Sequence, residues 1–253
     1  MSSSATLDDA APQAPREGLS VLQRAIAIFT RPGQAWVGLR ERAQWWFPVL
    51  IMMILAVASS ALLYQRAIVP MMSENLDQQV ANGQLPADQA DRMERFFASP
   101  VGMAVSVGPQ ILAVPIITLV VALAVWFGVG FVLGKDFKYR HALEVASWSS
   151  LISIPAYLLT TALAWTKQTM RGVHVGLGIL LPDMDPPSKL HTALGVFLDS
   201  LGPLSIWYLV VGILGAAALS GAPRKSVAWV LGILYVVLAA FMAALAAMFT
   251  PAA

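Results

Sequence analysis

The chain has 253 residues, of which 58% are hydrophobic and only 12% charged, with a formal net charge of +2. That balance lies outside the range of ordinary water-soluble domains, and a basic excess so small and dispersed argues against a nucleic-acid partner. Cysteine is absent, so disulfides, thiolate nucleophiles and Cys-based metal sites are excluded.

Residues 1–17 are small, polar and proline-containing, without the basic start and apolar stretch of a signal peptide; they are expected to form a disordered cytoplasmic tail. Residues 18–46 read as an amphipathic interfacial segment. Leu19, Leu22, Ile26 and Phe29 recur on one face of a helix, with Gln23 and Arg24 elsewhere. Pro32 restarts the chain, and Ala35, Trp36 and Leu39 make a second short apolar face beside Arg40 and Arg42. The pattern predicts two short helices on the cytoplasmic leaflet, with Leu22, Ile26, Phe29 and Trp36 facing the lipid or the bundle surface. A soluble helical hairpin packed on the loops is the alternative.

Five long apolar runs follow, over residues 47–68, 106–133, 143–166, 201–220 and 227–249. Each is about 20 residues or more, enough to cross roughly 30 Å of hydrocarbon. None has an acid or a base at its middle; Arg66, Glu144 and Asp199 lie near ends. The fold class is therefore all-α, a polytopic membrane bundle of five transmembrane helices with short interfacial helices, its spanning unit covering residues 47–253. Pro115 and Pro155 predict kinks or local irregularity, which membrane helices tolerate when neighbours re-satisfy the freed carbonyl.

The first long loop, residues 70–100, is acidic, and Pro86 opens a helix in which Asp88–Arg92 and Asp91–Arg95 are i,i+4 pairs. In the second, residues 167–200, the prolines of LPDMDPPSK argue for an irregular turn. Ten basic residues fall on the side of the N-terminus: Arg16, Arg24, Arg31, Arg40, Arg42, Lys135, Lys138, Arg140, Arg224 and Lys225. Six are spread over the longer loops opposite. The positive-inside rule then puts the N-terminus in the cytoplasm and, with an odd number of spans, the C-terminus outside.

Chemistry-bearing residues are sparse. In the third span Glu144, Ser147, Ser150, Tyr157 and Thr161 share one side, with His141 a turn earlier. Polar groups avoid lipid, so this face should point into the bundle. It is either the lining of a polar cavity formed by His141, Glu144, Ser147, Ser150 and Tyr157, or a set of interhelical and helix-internal hydrogen bonds. His174, His191, Asp183 and Asp185 lie on one side without metal-ligand spacing, so no metal site is assigned. GVHVGLG lacks the strand–turn–helix setting of a nucleotide fingerprint, and no cofactor is implied. Small residues form ridges at 239, 243 and 247 and at 212, 216 and 220, suited to close helix approach.

Three stretches carry a family resemblance. FTRPGQAWVGLRE resembles the segment before the first span of bacterial Yip1-domain proteins. GKDFKYRHALEVASWSSLISIPAYLL is similar to their second cytoplasmic loop and serine-bearing third helix, and FLDSLGPLSIWYLVVGILGAAALSGAPRKSVAWVL to their fourth helix and basic turn. The ordered set spans residues 22–248. The resemblance implies a five-helix bundle with a cytoplasmic N-terminus in a bacterial inner membrane, and it supplies no catalytic residues.

The first reading is thus a non-enzymatic inner-membrane protein of the Yip1 type, acting through membrane-protein or lipid partners, or as a homo-oligomer, in membrane organisation. The alternative is a carrier or scramblase for a lipid or small solute. A membrane-embedded enzyme is the third reading, with no motif beneath it.

Overall fold

A computed structural model describes residues 18–170, 172–182, 184 and 188–250. The expected tail and the acids Asp183 and Asp185 lie outside the described residues. Helices account for every regular element among those described, and five continuous stretches are long and apolar enough to cross a membrane.

Helix α1, Val21–Thr30, begins with a capping box: the Ser20 hydroxyl accepts from the Gln23 amide, and the Gln23 side chain accepts from the Ser20 amide. The chain then runs through a series of turns to the first span. No second α-helix forms after Pro32, which corrects the expected pair. Ala35, Trp36 and Leu39 are nevertheless buried, because the turns fold them under α1 into the bundle core.

The first span is longer than its apolar run. Helix α2, Trp46–Leu63, passes through a π-helical stretch, Tyr64–Ile68, into α3, Val69–Ala81. Pro70 does not end it, because the wider π turn just before takes up the lost donor and the ring. Helix α4, Ala87–Ala98, folds back beside α3 with Pro86 at its N-cap. There the Asp88–Arg92 pair forms at 2.8 Å and an Asp91–Arg95 pair does not. The buried Tyr64 ties this outer hairpin to the bundle, its hydroxyl donating to the Phe97 carbonyl at 2.8 Å.

The second span combines α5, Pro100–Val107, with α6, Gln110–Trp126, and a π-helical end, Phe127–Val132. It breaks at Gly108–Pro109, while Pro115 stays within α6. The third joins α7, Tyr139–Ser150, through a 3-10 turn at Leu151–Ser153 to α8, Ile154–Lys167, the irregularity expected before Pro155.

Helix α9, Lys189–Ser200, was not foreseen from the prolines before it; the Ser188 hydroxyl caps it by accepting from the His191 amide. It packs along α11, Arg224–Phe249, after which α10, Pro203–Ser220, continues across as the fourth span. Gly221, at φ 71°, closes the turn from α10 to α11.

Core packing centres on α7, where every residue from 141 to 149 is buried. Trp148 stacks on Phe47 with ring centroids 6.0 Å apart. The small-residue ridge of α10 faces the third span and the N-terminal turns: Gly212 lies beside Ser149, and a Cβ on Gly215 would stand 2.5 Å from the Trp36 ring. Gly128 likewise lets the second span approach Val230, Leu231 and Leu234 of the fifth.

Candidate functional site

Two charged side chains are wholly withdrawn from solvent on the side that carries the N-terminal segment. Arg24 of α1 is 1% exposed and Glu144 of α7 is 0% exposed. Buried charge is costly unless each hydrogen-bonding group is matched, and here the matching is extensive. Arg24 donates through Nη1 to the Ala35 carbonyl, through Nη2 to Val37 at 3.0 Å and Leu19 at 3.3 Å, and through Nε to the Gln44 side chain at 2.9 Å. Gln44 passes the connection on: its amide donates to Glu144 Oε1 at 2.8 Å. The second carboxylate oxygen accepts from Trp148 Nε1 at 3.1 Å, and the Arg24 guanidinium stands 5.6 Å over the Trp148 ring.

Desolvation pushes the Arg24 guanidinium down to about 10, against the pull of the Glu144 carboxylate. It remains charged at neutral pH. Arg40 fastens the same segment to another helix end, Nε donating at 2.8 Å to the Leu219 carbonyl, and Arg140 donates to the Arg40 carbonyl. The N-terminal segment is thereby bolted to α7 and α10.

The four residues expected at the interface part company. Leu22, Ile26 and Phe29 face outward, 65%, 58% and 42% exposed, on the side of α1 opposite Arg24 and Ile28. Trp36 is 3% exposed and sits inside, with Gly215 beneath its ring. The five residues suggested for a polar cavity do not converge on one space. Glu144 is spent on Gln44 and Trp148, not on Lys138, Arg140 or His141. Ser147 and Ser150 donate to the carbonyls of Glu144 and Ser147 on their own helix. Tyr157 stands on the outer, exposed side of α8, and His141 is buried with Nδ1 lacking a partner.

A profile of the Yip1 domain matches residues 26–246. The chain belongs to the Yip1 family. No curated protein matches it, nor does any solved structure. The match takes in Gln44, Glu144 and Trp148 and begins just past Arg24, so the guanidinium that completes the network lies at the margin of the Yip1 domain.

A second carboxylate site, missed by the sequence reading, lies on the opposite side of this Yip1-domain protein. Asp199, at the end of α9, accepts through Oδ1 from the amides of Gly176 and Gly178, both at 3.2 Å, and meets His174 Nδ1 through Oδ2 at 2.7 Å. Backbone amides of one turn pointed at a common centre hold an anion, and here the anion is the protein's own. The glycines are required by contact: a Cβ on Gly176 would lie 2.5 Å from the Asp199 carbonyl oxygen, and one on Gly178 would lie 2.6 Å from Oδ1. GVHVGLG is thus a loop wrapped around one carboxylate. No cluster of three metal-ligating side chains occurs among the described residues.

The third feature is a cavity of about 110 Å³ among the second, third, fourth and fifth spans. Its wall is aliphatic apart from Ser149, Tyr208 and Tyr235.

Proposed function

We propose that this Yip1 protein is a non-enzymatic component of a bacterial inner membrane that organises its surroundings by lipid contact and through membrane-protein partners. The N-terminal segment lies in the cytoplasmic leaflet and the C-terminus outside. The observation that carries this reading is the orientation of α1: Leu22, Ile26 and Phe29 are presented outward by a helix that the buried Arg24 holds in place. Immobilised apolar side chains lose little conformational entropy on entering a bilayer, so they bind lipid better than a loose arm of the same composition.

Spin labels at positions 22, 26 and 29 in vesicles test it. Protection from an aqueous quencher is expected, and full access would leave α1 an ordinary soluble arm. Reporter fusions at the C-terminus test orientation; activity confined to the cytoplasm would reverse it. A carrier or scramblase for a lipid or small solute is the second reading, favoured by the cavity between the spans.

A further inference from the structure

We infer that the cavity between the spans is a binding site for a membrane-soluble aliphatic molecule bearing one hydrogen-bonding oxygen, such as an acyl or isoprenoid alcohol. The inference deepens the carrier reading by naming its ligand class, and it concerns occupancy alone.

The cavity lies part-way along the spans, away from their ends. Ser149 is 10 residues from the start of α7, so it sits about 15 Å into the third span. Tyr208 and Tyr235 are at similar depth in α10 and α11, about 16–18 Å from the turn that joins them. Gly128 draws the second span against the fifth at one end, and the cavity opens beyond that contact. Its aliphatic wall gives water too few partners, so hydrocarbon is the natural filling.

One fully buried polar atom in that wall has no partner. Ser149 is 1% exposed, and its Oγ has no hydrogen-bond partner. Its neighbours Ser147 and Ser150 both bond back to helix carbonyls, as serines in membrane helices commonly do, and Ser149 does not. Gly212 faces it: a Cβ there would lie 3.6 Å from Oγ, an ordinary contact, so the glycine leaves room beside the hydroxyl. Tyr235, by contrast, is already committed, donating to the Ser200 carbonyl at 2.6 Å. An unpaired buried hydroxyl costs free energy that a ligand oxygen would recover. A plain acyl chain would fill the space and leave the cost in place. The alcohol does both.

Photolabelling in vesicles separates these cases. The protein is irradiated with a diazirine-bearing octanol and, separately, with the matching diazirine octane, and adducts are mapped by mass spectrometry. Octanol adducts are expected on Tyr208 and Tyr235. Ser149→Ala should lower them about two- to tenfold, the value of one net hydrogen bond, and leave octane labelling unchanged. Gly212→Leu should remove both by filling the cavity. Octanol adducts confined to exposed residues such as Trp229 and Phe249 would overturn the site. Labelling of the tyrosines that is indifferent to Ser149→Ala would overturn the role of the hydroxyl, and that variant decides the matter even if Gly212→Leu does not fold. A site that labels as expected in vesicles that flip a headgroup-labelled phospholipid no faster than protein-free ones would end the carrier reading and leave the site standing.

Discussion

Glu144 and Asp199 perform the same task at opposite ends of the bundle under different conditions. Each is a carboxylate near the end of an apolar run, each accepts from backbone amides of a segment that does not span, and each is completed by a ring nitrogen. Glu144 is fully enclosed, with Arg24 and Trp148 close by, whereas the Asp199 side chain is 33% exposed and meets a histidine ring nitrogen at 2.7 Å. The first site joins the N-terminal segment to the core, and the second folds a loop onto α9. Enclosure is what separates them: removing a partner inside protein strands a charge, while removing one at the rim admits water or headgroups.

That difference can be broken or sharpened by substitution. The largest effect should come from Glu144→Ala, which leaves the Gln44 amide, Trp148 Nε1 and the buried Arg24 uncompensated; a loss of about 3–5 kcal/mol is expected in reversible unfolding in detergent. Glu144→Gln, which keeps an acceptor, should recover much of it. A loss no larger than that of a rim substitution would mean that α1 is held by packing alone.

Next comes Gly176→Ala. Its methyl would meet the Asp199 backbone, and a cost of about 1–3 kcal/mol is expected from overpacking, with faster amide exchange at Gly178. Unchanged exchange would show that the loop adapts. Asp199→Asn retains an acceptor for both glycine amides, so about 1 kcal/mol is expected, and a loss as large as that of Glu144→Ala would erase the contrast between enclosed and rim sites. Smallest of all is Asp88→Asn in the outer hairpin. Both partners of that pair are mostly exposed, and a change within about 0.5 kcal/mol should appear in the same assay.

One span holds a parallel lesson. The α7 half of the third span is enclosed by protein, while in α8 Ala164 alone is buried. Regular helical spacing would align Glu144, Ser147, Ser150 and Tyr157 on a single face. The 3-10 turn at Leu151–Ser153 shifts the phase between the two halves, and Tyr157 emerges on the exposed side. Ser149 lies off that polar face and between residues of the core, where its sequence neighbours give it no distinguishing mark. Its significance depends on a glycine 63 positions later.

The five membrane runs, the all-helical class and the family could be read from the sequence because each depends on local properties: hydropathy summed over a turn-by-turn window and short ordered motifs. The reach of α2 through Pro70, the burial of Arg24 and the making of α9 could not. The first turns on a π stretch that hydropathy does not reveal, and the other two are decided by groups distant in sequence that supply the missing hydrogen bond or the apolar neighbour. An arginine on a short amphipathic helix carries no local mark of burial. Only when Ala35, Val37 and Gln44 turn their oxygens toward it, and α7 places Glu144 behind Gln44, does the interior become the lower-energy place for that charge.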